Sequence, residues 1–101
     1  MGEYMITQSN EVAKLMIERR KQLRLSQTKL STKLGFSEKN GQYVSNIERG
    51  RCQFPTRFIN KLANALEVSE ETIIELMTND YREAVKKEVL NAHQLFNQTT
   101  N

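Results

Sequence analysis

Residues 26–51, SQTKLSTKLGFSEKNGQYVSNIERGR, contain two short helical patterns joined by a glycine-bearing turn. Ser26 precedes the first pattern as an N-cap, and Leu30 and Leu34 lie one turn apart on the face that seeks a core. Ser31, between them in projection, is small enough to let a second helix cross closely. Gly35 suits the left-handed residue that ends a helix. The connection Phe36 to Gly41 is long for such a turn, with Asn40-Gly41 as breaker pair and Asn40 as cap, so the second helix starts near Gly41 or Gln42. At about 100° per residue, Gln42, Ser45, Asn46 and Arg49 cluster on one face of that helix, opposite Val44 and Ile47. Gly50 stops it, and Arg51 follows.

Outward from this stretch, Glu11 to Leu23 carries Val12, Leu15, Met16 and Leu23 at helical spacing, bordered by Lys14, Arg19, Lys21 and Arg24, with Ser9 or Asn10 as the expected cap. On the other side Pro55 opens a fourth helix with Phe58, Ile59, Leu62, Ala63 and Leu66 as its core stripe. Ser69, followed by Glu70 and Glu71, caps a fifth that carries Ile73, Ile74 and Met77 inward. Thr78-Asn79-Asp80 is poor in helix formers, after which Tyr81, Val85, Val89, Ala92 and Phe96 define a further amphipathic helix. Three roles are open to that helix: folding back over the core, pairing with a second copy, or serving as a partner-bound or frayed tail. The chain divides into a loose arm (1–10), a helical domain (11–78), a helical extension (79–97) and an irregular tail (98–101).

At 101 residues and 38% hydrophobic content, the chain holds one small core. No stretch has the length and apolarity of a membrane span, and residues 1–10 lack the layout of a signal peptide, so a cytoplasmic location is expected. A single cysteine, Cys52, and a single histidine, His93, give no expectation of a disulfide, a metal site or another cofactor. Cys52 reads as a packing residue and His93 as a surface one. No nucleophile, base and orienting group recur at a catalytic spacing, so an enzyme is not expected.

Charge is strongly partitioned. Residues 11–61 hold 12 Lys/Arg against 4 Asp/Glu, a net of +8, whereas residues 62–101 hold 3 against 7, a net of −4. Clustered cations gain from counterion release along a phosphate backbone, so the first half expects a polyanion.

Ser26-Gln27, Leu30-Ser31, Gly35, Val44, Ile47-Glu48-Arg49-Gly50 and Leu62-Ala63 together resemble the signature of the Cro/C1-type (XRE-like) helix-turn-helix family of phage repressors and bacterial regulators. The resemblance spans about Glu11 to Met77. It implies an all-α, five-helix, lambda-repressor-like domain that binds double-stranded DNA, here extended by the C-terminal amphipathic helix. The turn before Val44 is about three residues longer than the family spacing. In the family, side chains matching Gln42 and Asn46 point at bases, and Gln or Asn suits adenine as Arg suits guanine. Gln42, Ser45, Asn46 and Arg49 are thus the expected base readers, and Gly41 offers only backbone. The residue matching Gln27 donates to phosphate, and Lys29, Lys39, Tyr43, Arg51 and Arg57 are candidate backbone contacts, each alone equally readable as a solvated side chain. Arg20 and Glu48 match an interhelical ion pair that orients the reading helix, the plainer reading being a weak surface bridge.

The expected function is a DNA-binding regulator, acting as a homodimer on a two-fold operator. Repression by promoter occlusion and activation are both compatible with these residues. The alternatives are an antitoxin whose C-terminal helix neutralises a toxin, or a protein-interaction module that has lost DNA.

Overall fold

The computed structural model describes residues 10–37 and 40–99, with side chains as far as Leu95. Within them are five α-helices: α1 (Glu11–Gln22), α2 (Gln27–Leu34), α3 (Gln42–Glu48), α4 (Ile59–Leu66) and α5 (Glu70–Thr99). A 3-10 turn, Thr56–Phe58, leads into α4, so Pro55 precedes this turn and α4 itself begins four residues later than the proline suggested. No strand occurs among the described residues. The chain is all-α, as the family resemblance implied.

One core joins all five helices: Val12 and Met16 of α1, Leu30 and Leu34 of α2, Val44 and Ile47 of α3, Leu62, Ala63 and Leu66 of α4, and Ile73 of α5, with Phe36 and Phe54 from the loops. The helix ends are set by local chemistry. The Ser26 hydroxyl accepts the Lys29 N–H at 3.0 Å, and the Ser69 hydroxyl accepts the Thr72 N–H at 3.1 Å. Gly35, at φ 79°, closes α2, and the Phe36 N–H then donates to the Ser31 carbonyl.

The start of α1 has a different cap from the one expected. Asn10 makes no side-chain cap bond, and Ser9 lies outside the described residues. Instead Asp80, far along the chain, accepts the Glu11 N–H at 2.8 Å and the Val12 N–H at 3.1 Å. A carboxylate there satisfies two orphan donors and faces the positive end of the helix dipole.

At α5 one further expectation is corrected and one of the open roles falls away. No break falls at Thr78–Asp80: the fifth helix and the extension form one helix of 30 residues. Nor does it fold back over the core. From Ser69 to Asp80 it packs through Ile73, Leu76 and Met77, but Tyr81 is 65% exposed, and Val85, Val89, Leu90 and Leu95 are exposed as well. Ile74, expected inward, is 41% exposed, because α1 and α4 meet α5 through a narrow face about 100° away. The helix runs on to Thr99 through the first residues of the expected tail. The arm from Met1 to Ser9, residues 100–101 and the Phe96 side chain lie outside what is described.

Candidate nucleic-acid interface

The long turn before α3 is held at both ends. Phe36 is buried, its ring 4.7 Å from Tyr43, 5.0 Å edge-on from Phe58 and 6.2 Å from Phe54. At the other end the Asn40 side-chain oxygen accepts the Gln42 N–H at 3.0 Å, and its carbonyl accepts the Thr28 hydroxyl at 3.2 Å. Gly41 then enters α3 at φ 83°. A Cβ at Gly41 would meet the Thr28 nitrogen at 2.9 Å and the Gln27 carbonyl carbon at 3.0 Å, so the start of α3 rests on the backbone at the head of α2. The extra turn residues thus leave α3 tightly docked. Lys39 and Glu38, within this turn, lie outside the described residues.

Packing divides α3 into two faces. Val44 and Ile47 are in the core, while Gln42 and Arg49 are exposed and Asn46 is half-buried. The Gln42 amide nitrogen donates to the Asn46 side-chain oxygen at 3.1 Å, so two of the expected readers form one polar unit. Ser45 departs from the expectation. It is 6% exposed and does not share the open face. The covered side of α3, which contacts both α1 and α2, therefore extends beyond Val44 and Ile47.

Beneath the open face a polar cluster fixes α3 to its neighbours. Arg20 of α1 donates Nε to Glu48 Oε2 at 2.8 Å and Nη2 to Oε1 at 3.1 Å, while its Nη1 donates to the Leu25 carbonyl at 2.9 Å. Gln27 of α2 donates its amide to Glu48 Oε1 at 2.9 Å. The Arg20 and Glu48 side chains are only 12% and 5% exposed, which sets this bidentate pair apart from a solvated surface bridge. Gln27, expected at a phosphate, thus joins the cluster in the free chain and bonds α1, α2 and α3 through one carboxylate.

Three of the candidate backbone cations are open to solvent. Lys29, Arg51 and Arg57 are exposed, with the Arg57 guanidinium 5.3 Å from the Phe58 ring centre. Tyr43 is half-buried, its ring against Phe36. Arg19 serves another end of the domain, donating Nε to the Leu66 carbonyl at the close of α4. Cys52 is exposed rather than packed, and partial desolvation pushes its thiol above the usual pKa, opposite to an activated sulfur. His93 is exposed on α5. Among the described residues no cluster of His, Cys, Asp and Glu could hold a metal ion, and no helix is long and apolar enough to cross a membrane.

Two positions carry weight that the sequence reading did not give them. Phe36 had a signal: a hydrophobic residue directly after a helix-ending glycine commonly packs back on the helix it leaves. Gly41 had the Asn-Gly pair, but nothing local reveals the backbone lying against it.

Comparison with known proteins gives one result. A family model described as helix-turn-helix matches residues 16–73, from Met16 in α1 to Ile73 in α5. No curated protein and no solved structure matches the chain.

Proposed function

The chain belongs to the Cro/C1-type helix-turn-helix family of DNA-binding regulators, and from that premise we propose that it reads a specific duplex sequence by laying α3 in the major groove. The observation that carries this reading is the open face of α3: Gln42, Asn46 and Arg49 outward, on a helix held by the Arg20–Glu48–Gln27 cluster. Gln42 and Asn46 match the edge of adenine, and Arg49 matches guanine. Lys29, Arg51 and Arg57 contact phosphates around them, and Gln27 exchanges its bond to Glu48 for a phosphate oxygen. Two copies occupy a two-fold operator, with their α3 helices about 34 Å apart in successive major grooves. Occupancy of such a site within a promoter represses transcription.

A mobility-shift assay against genomic fragments tests this. Expected is a selected fragment whose affinity falls steeply with salt, and whose advantage over competitor DNA disappears in a Gln42→Ala/Asn46→Ala variant. Binding indifferent to salt, or fully specific binding by that variant, contradicts the proposal.

A further inference from the structure

The link from α1 to α2 and the link from α4 to α5 are built alike. In each, a residue in the left-handed region ends one helix, a hydrophobic residue follows, and a serine caps the next: Arg24-Leu25-Ser26 and Glu67-Val68-Ser69. Arg24 stands at φ 60° and Glu67 at φ 59°. The Leu25 N–H returns to the Arg20 carbonyl at 2.9 Å, and the Val68 N–H to the Ala63 carbonyl at 3.1 Å. The same return bond follows Gly35 and Gly50, so glycine fills two such positions and a strained residue with a side chain fills the other two.

Electrostatics accounts for Glu67 and not for Arg24. An acid two residues ahead of Ser69 stands near the positive end of the α5 dipole, where it is favoured. A cation two residues ahead of Ser26 stands near the same end of α2, where it is not. The negative end of α1, on the other side, already has Arg19, Arg20 and Lys21 in its last turn. The Arg24 side chain is exposed and has no hydrogen bond or ion pair among the described residues. Strain kept without return inside the fold points to a role outside it.

Position identifies the partner. The Leu25 carbonyl is held by Arg20 Nη1 at 2.9 Å, and the same guanidinium is paired with Glu48 of α3. Gln27, three residues beyond Arg24, bonds Glu48 as well. The turn that carries Arg24 is thus tied to the cluster that fixes the reading helix.

We propose that Arg24 is a further DNA contact, its guanidinium binding a backbone phosphate next to the one assigned to Gln27. This contact presupposes the α3 reading of DNA and adds to it a cation whose cost in backbone strain is offset only in the complex.

Arg24→Gly, Arg24→Lys and Glu67→Gly in the full chain, measured by mobility shift on the selected fragment across a salt series with urea denaturation alongside, separate the backbone from the charge. Arg24→Gly relieves the strain, so its urea midpoint is expected to be unchanged or raised. Near 0.1 M salt its affinity falls by about tenfold for each bound copy, and the salt slope shrinks by about one per copy, since one phosphate contact is gone. Arg24→Lys keeps the slope. Glu67→Gly, with the same relief of backbone, binds as the unaltered chain does.

An Arg24→Gly chain with the full slope, an Arg24→Lys chain with the reduced one, or an equal loss in Glu67→Gly overturns the proposal. If Arg24→Gly keeps the full slope while Gln42→Ala/Asn46→Ala loses selection, only the Arg24 contact falls and the α3 reading stands. An unaltered chain whose binding ignores salt removes both.

Discussion

Two glycines with nearly the same backbone conformation have very different surroundings, and replacing each with alanine separates two physical costs. Gly35 and Gly41 sit at φ 79° and φ 83°. An alanine in this left-handed region costs about 1–2 kcal/mol at either site. At Gly35 the new methyl meets only Lys61 Nζ, at 3.5 Å, the far end of a flexible side chain, and nothing further is lost. At Gly41 it lands 2.9 Å from the Thr28 backbone nitrogen, so α2 and α3 must part by some tenths of an ångström. Overpacking of that kind costs about 1–3 kcal/mol. Gly35→Ala is therefore expected to lose about 1–2 kcal/mol and Gly41→Ala about 2–5 kcal/mol in urea denaturation at matched protein concentration. In melting temperature the gap is roughly 4–8 °C for each kcal/mol. Because the clash lies where α3 begins, the folded fraction of Gly41→Ala also binds operator DNA less tightly, whereas Gly35→Ala does not. Equal losses at the two sites, within about 0.5 kcal/mol, refute the claim that α3 rests on the α2 backbone.

The buried carboxylate of Glu48 gives a second expectation: Glu48→Ala strands the Arg20 guanidinium in a nearly closed site and costs about 3–5 kcal/mol by the same measurement, where a surface bridge would cost under about 1 kcal/mol. Asp80→Ala removes the cap from α1 and costs about 0.5–2 kcal/mol. Hydrogen exchange should quicken at the Glu11 and Val12 amides, and unchanged protection there counts against the cap. Cys52 should alkylate more slowly near neutral pH than a cysteine in an unstructured peptide, despite its exposure, because its thiol is pushed up. The folded chain holds that proton more tightly than the unfolded one, so the linked stability is present below the ordinary thiol pKa and is lost as pH rises through the raised one. Alkylation as fast as the peptide's contradicts this.

Much of the reading domain was legible because its determinants are local. The Ser26 cap and the Gly35 stop each act within a few residues, and the opposed faces of α3 follow from helical period alone. The family likeness pointed to Arg20 and Glu48, and the structure pairs them. Ser45 was misplaced because a wheel gives angles without saying how far neighbouring helices wrap round, and here its flank is covered. Thr78-Asn79-Asp80 suggested a break because each residue is a weak helix former. Their individual costs are only a few tenths of a kcal/mol, small beside the packing of Ile73, Leu76 and Met77 just before them. Asp80 itself is the clearest case of non-local meaning. A residue that reads as a helix breaker caps another helix 69 positions away, and no pattern of neighbours encodes that contact.

The burial of Ser45 bears on how much sequence this protein can specify. With Gly41 bare and Ser45 covered, the proposed reading leaves α3 three outward side chains for base edges, and three such side chains would fix about three base pairs. Two copies on the proposed two-fold operator would fix about six, and a word of six recurs by chance roughly once in 4,000 base pairs, too often to single out one promoter in a genome. The remaining discrimination then falls to the spacing between half-sites and the ease with which the intervening duplex bends or twists. On that basis, operators for this protein should tolerate substitution in their central base pairs according to flexibility rather than identity, while the insertion of a single base pair between the half-sites abolishes recognition.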